Sequence, residues 1–473
     1  MNDIMGREIV FAPLEDTINR FKKAKIRNPR RSLTPPPTIS FCHPFSNRKI
    51  TLSINEISGS GFSVFEKARE GTLMPGMIIP ELIINYAGTT ELKCKSQVIY
   101  RQQHPDEKKT RCGLAILDMG LKSYTGLINI INHTTDHHSY ISNKINMDSL
   151  WKLFFDTGFF YPEKYSNMNL YRENIKNTYR KLYLDYPNIA RHFTYEVDGE
   201  ICSHIAMIRT YESTWMIHHF VSKPTGNKLT GFLVLKQVIQ YLNSAYRYPS
   251  ANMNYVMAYF QPSNKVANHL FGKFATNLNN PQGCSLDLFS YIMFSKKSKD
   301  FRLPSGWSLQ KCSQVDLWKL QLFYNYHSGG LLINTLSPRS KNSNEESLKD
   351  TYSKLGFIRK WNIYSLSYHS VPCAFMVTNQ SDHGLNLSEL LNSIKIIITN
   401  PKILPWDILT IAISQLAETY NVDTIPLLIY PDKYLETQSI SPERKYQLWI
   451  LNPSRSGDDY LDYVCINFRI KLS

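Results

Sequence analysis

The sequence lacks the features that identify a metal-stabilised, secreted or membrane-spanning protein. Its eight cysteines are scattered and include no C-x-x-C pair, which argues against a zinc site and a disulfide framework. The opening residues, MNDIMGRE, are not a basic region followed by an apolar run, so we expect no signal peptide. No apolar stretch reaches the roughly 18 residues that a transmembrane helix needs. These absences predict a cytoplasmic protein with reduced cysteines.

What the sequence contains is ordinary globular composition with an excess of positive charge. Hydrophobic residues make up 42% of the 473 positions. A chain of this length is expected to form roughly two to four domains. Lys and Arg number 54 against 39 Asp and Glu, which gives a formal net charge of +15. This excess favours an anionic partner, which could be a nucleotide, a nucleic acid, a coenzyme or a membrane surface.

The first part of the chain predicts a small barrel followed by a connector. Residues 20–132 contain short strand-like runs separated by turns, and then a helical pattern at 121–131. Short strands at regular spacing are typical of a small antiparallel β-barrel. Residues 133–147 are polar and are interpreted as a linker. The three histidines there, His133, His137 and His138, have no carboxylate or cysteine organised around them, so we predict no metal site.

The two remaining blocks alternate helix and strand, which predicts an α/β fold with mixed sheets. In the second block, 148–300, the helix at 229–243 follows a strand at 215–221. The third block, 305–473, repeats this rhythm, and its loop from Asp382 to Ser388 is expected to open a helix. We interpret the third block as a second, degenerate copy of the second. This duplication is a hypothesis, because the two blocks have little sequence in common.

A basic arm and a glycine-rich turn form the first candidate site. The arm precedes a proline-rich run, which predicts an extended backbone, and guanidinium groups fork onto phosphate oxygens and stack on bases. The turn offers a carboxylate for the edge of guanine, a serine hydroxyl, and glycines that let the backbone approach closely. The residues predicted to bind a nucleotide are Arg27, Arg30, Arg31, Glu56, Ser58, Gly59 and Gly61.

These motifs resemble the PilZ family, whose pattern is R-x-x-x-R and, further along the chain, [D/N]-x-S-x-x-G. The two parts read R-N-P-R-R at 27–31 and E-I-S-G-S-G at 56–61 in this chain. The resemblance covers residues 20–132 and implies a six-stranded barrel that binds cyclic di-GMP, as in a bacterial signalling receptor. Glu56 departs from the family pattern, since it is one methylene longer than aspartate.

The segment from Asn264 to Phe274 resembles the late helix of the GNAT acetyltransferase family, N-x-x-A-x-x-L-Y-x-K-x-G-F. The resemblance implies a site for acetyl-CoA or another acyl-CoA, with the pyrophosphate at a helix N-terminus. The loop at 223–231 matches the family's phosphate loop only loosely. The residues predicted for acyl-CoA are Lys223, Gly226, Asn227, Lys228 and Asn264.

The same block contains several candidate catalytic residues. Phe271 stands where the family often has a general-acid tyrosine. A general base could come from His218 or His219, or from Glu212 or Glu200, since a neutral histidine near pH 7 can take a proton from an ammonium group. Neighbouring strand residues point to opposite faces, so we expect at most one of the two histidines to matter.

Three functions stay open at this point. We favour a cyclic di-GMP receptor whose barrel regulates an acyl-CoA-dependent N-acyltransferase acting on an amine or aminoacyl acceptor. The alternative is a cyclic di-GMP effector with catalytically degenerate lobes that binds a protein partner. A nucleic-acid-binding module is the third, but the basic arm lacks the interleaved aromatic residues of a nucleic-acid reader.

Overall fold

The computed structural model describes residues 28–67, 70–103, 108–134, 138–141, 146–160, 172–185, 188–224, 230–296, 302–336 and 347–470. Within these ranges, the predicted fold class is confirmed: a closed antiparallel barrel precedes a larger α/β unit built on a mixed sheet. No helix of the described residues is both long and apolar enough to cross a bilayer.

The barrel has six strands in the order β1-β2-β3-β6-β5-β4, and it closes because β1 also pairs with β4. The strands are β1 (Thr38–Cys42), β2 (Lys49–Ser58), β3 (Gly61–Lys67), β4 (Ile78–Tyr86), β5 (Thr90–Gln103) and β6 (Lys109–Asp118). Apolar side chains such as Phe62, Val64 and Leu82 fill the interior without exposure. Helix α1 (Leu121–His133) follows the last strand and buries Tyr124 and Leu127.

The rest of the described chain builds one twelve-stranded sheet in the order β13-β14-β15-β16-β17-β12-β18-β11-β10-β9-β8-β7. The first six of these strands in chain order are β7 (Ser139–Ile141), β8 (Ala190–Val197), β9 (Glu200–Tyr211), β10 (Thr214–Ser222), β11 (Tyr255–Phe260) and β12 (Cys284–Ser295). The other six are β13 (Trp307–Lys311), β14 (Arg359–Tyr368), β15 (Val371–Ser381), β16 (Ile394–Ile398), β17 (Thr424–Tyr430) and β18 (Arg444–Leu451). We call the part from β7 to β12 the first lobe and the part from β13 to β18 the second lobe.

The two lobes exchange their last strands. β12 of the first lobe pairs with β17 of the second lobe, and β18 of the second lobe pairs with β11 of the first. β12 and β18 then pair with each other, antiparallel, at the centre of the sheet. Both lobes also contain one parallel strand pair at the matching place, β10 with β11 and β16 with β17. The strand order therefore reads the same from either edge, as a duplicated unit with swapped strands would.

Helices pack against this sheet in both lobes. The first lobe contains α2 (Met147–Asp156), α3 (Arg172–Asp185) and α4 (Thr230–Ala245), and then α5, which consists of Lys265–Ala267, a π-helical turn at Asn268–Gly272 and Lys273–Leu278. The second lobe contains α6 (Gln314–His327), α7 (Leu332–Leu336), α8 (Leu348–Lys354), α9 (Trp406–Ala417) and α10 (Tyr434–Thr437). The final helix, α11 (Pro453–Asn467), packs on the first lobe, where the Tyr463 hydroxyl donates to the His269 carbonyl at 2.6 Å.

The structure differs from the prediction in two connecting segments. Part of the connector at 133–147 forms β7, which pairs with β8 at the sheet edge. Asn129 of α1 also bonds both backbone groups of Ile141, so this connector is tied to the barrel helix as well. The loop from Asp382 to Ser388 does not open a helix, and a series of turns leads into β16 instead. Glu389 there has a φ of 56°, which a helix does not allow.

Candidate functional site

A cavity of about 530 Å³ lies between the glycine-rich turn of the barrel and the first lobe. Its barrel wall includes Ser58, Ser60 and Gly61, and Arg30 of the arm lines it as well. The opposite wall comes from the end of α4 and the start of α11. The volume lies within the range of about 300 to 1,000 Å³ that is usual for small-molecule sites.

The turn that lines this cavity is held by its own hydrogen bonds. Ser58 Oγ donates to the Gly61 carbonyl at 3.1 Å and accepts from the Ser60 amide at 3.4 Å. Gly61 lies so close to β6 that a Cβ there would come 2.4 Å from the Leu114 carbonyl oxygen. Only glycine fits at this position, which explains one glycine of the motif in steric terms.

The described part of the arm, residues 28–31, is fixed to both the barrel and the first lobe. Arg31 forms two backbone hydrogen bonds of 2.8 Å with Ile57 of β2. The buried side chain of Asn28 donates to the Gln240 carbonyl at 3.1 Å and to Ser244 Oγ at 3.2 Å, and it accepts from Asn243 Nδ2 at 3.0 Å. The second residue of the R-N-P-R-R motif is therefore docked on α4.

The three predicted arginines have different environments. Arg27 lies outside the described residues. Arg30 is exposed and lines the 530 Å³ cavity. Arg31 lines a neighbouring cavity of about 260 Å³, together with Gly59 and residues of α1 and α4. Its Nε is buried and has no hydrogen-bond partner among the residues that the structure describes. A buried guanidinium N–H without a partner is available to an anion.

Glu56 does not line either cavity. Its carboxylate pairs with the Arg111 guanidinium, which also donates to Ser63 Oγ at 3.3 Å. The longer side chain thus reaches an arginine on the neighbouring strands instead of the edge of the cavity.

Further hydrogen bonds join the barrel to the first lobe around the cavity. The Tyr248 hydroxyl donates to the Gly59 carbonyl at 2.5 Å, so the turn itself contacts the lobe. The Tyr124 hydroxyl of α1 donates to the Tyr241 carbonyl of α4 at 2.9 Å. Burial holds the pKa of both tyrosine hydroxyls above the ordinary value, so both stay protonated. A single cluster of buried apolar side chains also runs from the barrel into the first lobe.

The second candidate site lies where β10 and β11 separate. Their parallel pairing covers Thr214 to Met216 opposite Tyr255 to Met257 and then stops. Beyond it, β10 carries a bulge between His218 and Val221, where His219 has a φ of 55°. The two strands are not paired with each other beyond Met216 and Met257, and we call these ends the splayed strands.

The bulge overturns the expectation that the two histidines point to opposite faces. The His218 and His219 rings lie side by side, with centroids 3.8 Å apart. Strand alternation fails here because the positive φ at His219 turns the chain. The Leu387 amide donates to His219 Nε2 at 3.0 Å, and His219 Nδ1 bonds the Tyr179 hydroxyl. Both nitrogens of His219 are thus occupied.

His218 is held as a neutral ring. The Asn386 side-chain amide donates to His218 Nδ1 at 3.2 Å. Burial, with a smaller contribution from the neighbouring His204, lowers the pKa of His218 to about 3. A ring with so low a pKa is a weak base near neutral pH, because base strength follows pKa.

The other predicted acyl-site residues are engaged elsewhere or lie outside the described chain. Both carboxylate oxygens of Glu212 accept from the Leu348 amide, at 3.0 and 3.1 Å, so Glu212 holds the start of α8. Lys223 pairs with Glu200 at 3.1 Å, and Lys152 pairs with the same carboxylate at 2.9 Å. Asn264 accepts from the Ala267 amide and caps α5. Gly226, Asn227 and Lys228 lie outside the described residues.

Sequence reasoning missed the residues that the lobes add to both sites. Arg247 and Arg455 line the 530 Å³ cavity, and Asn386 and Leu387 of the second lobe bond the two histidines. No motif marks any of them. Their positions depend on the docking of distant segments, and a single sequence gives no signal for such contacts.

No protein-family model matches the chain, and no curated protein matches it in sequence. Among solved structures it is similar to YcgR from Escherichia coli in complex with c-di-GMP, with 17% identity and a TM-score of 0.21, over 23% of this chain and 46% of YcgR. The K. pneumonia MrkH–c-di-GMP complex matches with 15% identity and a TM-score of 0.21, over 23% of this chain and 52% of MrkH. The chain thus spans about half the length of these two proteins.

Another match is a GCN5-related N-acetyltransferase from Sphaerobacter thermophilus, with 11% identity and a TM-score of 0.32, over 58% of this chain and 84% of that protein. Both families that the motifs resemble are among the matches. The identities and TM-scores are low, so the function has to be argued from the residues of the two candidate sites.

Proposed function

We propose that this chain is a bacterial cyclic di-GMP receptor whose barrel regulates an attached GNAT-like, acyl-CoA-dependent N-acyltransferase. The observation that carries the proposal is the 530 Å³ cavity, because the PilZ-like turn lines it on one side and the first lobe on the other. The proposal keeps the bounds inferred from the sequence, which are a barrel at 20–132, a linker at 133–147 and lobes at 148–300 and 305–473, with β7 of the linker and the exchanged strands of the lobes joined in one sheet.

The cavity offers the groups that a cyclic dinucleotide needs. Arg30 supplies donors for phosphate oxygens in this cavity, and the partnerless Nε of Arg31 supplies another in the neighbouring 260 Å³ cavity. Ser60 and the backbone of Gly61 lie at the turn, where polar groups can meet a base or a phosphate. The exposed position of Arg30 leaves it free to close over a ligand.

Helix α4 is the element that would carry the signal. Its last turns bond Asn28 of the arm, and its first residue, Thr230, donates to the Lys223 carbonyl at 2.8 Å beside the splayed strands. One rigid helix thus contacts the nucleotide cavity at one end and the proposed acyl site at the other. If α4 has two positions and the nucleotide binds one of them more tightly, the nucleotide shifts the equilibrium between the two arrangements of the acyl site. The size of this shift equals the difference in binding free energy of the nucleotide for the two positions.

The second candidate function is an effector without acyltransferase chemistry, and the hydrogen bonds at the splayed strands favour it. His219 has both nitrogens occupied, His218 accepts from Asn386, and Glu212 holds α8. Phe271 provides no hydroxyl for a general acid. Nucleotide-dependent turnover of acetyl-CoA with an amine acceptor would support the enzyme. Absence of turnover with a nucleotide-bound, folded protein would support the effector.

Calorimetric titration of cyclic di-GMP into the full chain tests the receptor. We expect saturable binding by the wild-type protein and a loss of at least about tenfold in affinity for Arg30→Ala, since a charge-assisted hydrogen bond is worth about 1.5 to 3 kcal/mol. Arg180→Ala is the matched control, because it removes an exposed arginine from α3 that lines neither cavity. Flat heats with folded wild-type protein would contradict the proposal.

A further inference from the structure

The first lobe and the final helix supply half of the wall around the nucleotide cavity. We propose that the site is composite, and that Arg247 and Arg455 bind the phosphates of the cyclic dinucleotide from the side opposite Arg30. This inference rests on the proposed receptor function and adds two specificity-determining residues that lie far from the barrel in sequence.

Arg247 is held at the cavity wall by its neighbours. It follows α4, and its Nη2 pairs with Asp458 Oδ1 of α11 at 2.9 Å. Its Nε donates to the Asn243 carbonyl at 3.4 Å, and its guanidinium carbon lies 4.7 Å from the centre of the Tyr246 ring. These contacts orient a planar guanidinium with five donors and leave part of that capacity for a ligand.

Arg455 is the freer of the two arginines. It is exposed in the first turn of α11, and its side chain has no hydrogen-bond or ion-pair partner among the described residues. It lines the same cavity as Arg247 and Arg30. A long cationic side chain without a partner can turn toward an anion with little rearrangement of its surroundings.

The charge of the cavity wall fits a doubly anionic ligand. Its charged lining residues are Arg30, Arg247, Arg455 and Asp458, which together carry a formal charge of +2. The two phosphodiester groups of a cyclic dinucleotide carry the opposite charge. Without the lobe, only Arg30 among these cations would face the ligand, and the two phosphates would be incompletely neutralised.

The aromatic residues of the cavity suit the bases. Tyr100 comes from the barrel and Tyr246 from the segment after α4, and both rings are partly exposed. Base faces stack on aromatic rings and on guanidinium planes, so a ligand between the two walls would contact both at once. The site would therefore be complete only when the barrel and the first lobe are docked as they are here.

Calorimetric titration of cyclic di-GMP into the full chain tests this inference with Arg455→Ala, Arg247→Ala and Arg247→Lys. We expect Arg455→Ala and Arg247→Ala each to weaken binding by about tenfold, since each loses a charge-assisted contact. Arg247→Lys keeps the charge but loses the forked geometry, so we expect an intermediate affinity. Arg180→Ala, on the exposed side of α3, should bind like the wild type.

The outcomes separate this inference from the receptor function. If Arg30→Ala loses affinity while both Arg455→Ala and Arg247→Ala bind like the wild type, the site belongs to the barrel alone and the inference is overturned. If the wild-type protein binds no nucleotide, the receptor function itself fails. Because Arg247→Ala also breaks the ion pair with Asp458, its thermal unfolding is measured as well; Arg455→Ala, which breaks no contact of the described residues, decides the matter if Arg247→Ala unfolds.

Discussion

At the scale of single residues, the two adjacent histidines illustrate where sequence reasoning stops. Strand alternation predicts opposite faces for His218 and His219, and this rule holds only for regular pleating. The bulge in β10 and the positive φ of His219 bring both rings together. A non-glycine residue with positive φ has no reliable signature in one sequence, so this part of the candidate site could not be predicted.

The buried histidines make stability depend on pH. His204 is fully buried, its Nδ1 donates to the His219 carbonyl at 3.1 Å, and burial lowers its pKa from 6.5 to about 4. The unfolded chain therefore binds a proton more readily than the folded protein below pH 6.5, so stability falls as the pH drops from there towards 4. The low pKa of His218 acts in the same direction.

We expect urea unfolding to show this loss between pH 7 and pH 5, with roughly 2 kcal/mol coming from His204 alone. The rings of Phe154, Tyr183 and His192 face His204 and keep its surroundings poor in countercharge. His204→Gln keeps a donor for the His219 carbonyl and removes the titrating group. A variant whose stability falls as steeply as that of the wild type would rule out His204 as a source of the pH dependence.

At the scale of elements, the pattern of apolar residues predicts most helices and strands but not all. Helix α4 differs from its predicted bounds of 229–243 by one or two residues at each end. Strand β4 was missed because Pro80 interrupts it, at a bulge between Ile79 and Leu82. Helix α11 was missed as well, and with it Arg455 at the nucleotide cavity.

The docking of the arm on α4 is the contact between elements whose loss should be easiest to measure. Asn28→Ala removes the three hydrogen bonds with Gln240, Asn243 and Ser244, and it leaves buried polar groups on α4 without partners. We expect a loss of about 1 to 3 kcal/mol in the free energy of unfolding. We also expect weaker nucleotide binding, because Asn28 lines both cavities.

Asn280→Ala is the control for this experiment, because it truncates an exposed asparagine away from both cavities. Denaturant unfolding and calorimetry of the two variants would separate stability from binding. If Asn28→Ala is as stable as Asn280→Ala and binds nucleotide with the wild-type affinity, the docking of the arm on α4 contributes neither to stability nor to nucleotide binding.

At the scale of the whole molecule, the sequence predicts two separate lobes divided at about residue 300. The structure joins these lobes in one sheet, because β12 and β18 are exchanged between them. Helix and strand periodicity reports which face of a segment is buried, but not which segment lies beside it. β12 has both of its neighbours, β17 and β18, in the second lobe, while β11 is completed by β18. Each lobe therefore needs the last strand of the other lobe to complete its part of the sheet.

The exchanged strands predict that the two lobes unfold together. Cys202 of β9 and Cys373 of β15 report on one lobe each, since both thiols are buried and unmodified. In a urea titration read out by thiol labelling and mass spectrometry, we expect both cysteines to become reactive at the same urea concentration.

Leu448→Ala, at a fully buried position in β18, should lower both midpoints equally, because a Leu→Ala cavity costs about 2 to 5 kcal/mol and β18 joins both lobes. Leu409→Ala in α9 truncates a buried leucine of the second lobe that lies outside the exchanged strands. If the lobes unfold together, this variant should also lower the urea midpoints of both cysteines equally. Separate midpoints for Cys202 and Cys373, or a shift of only Cys373 in either variant, would mean that the lobes fold as independent units despite their common sheet.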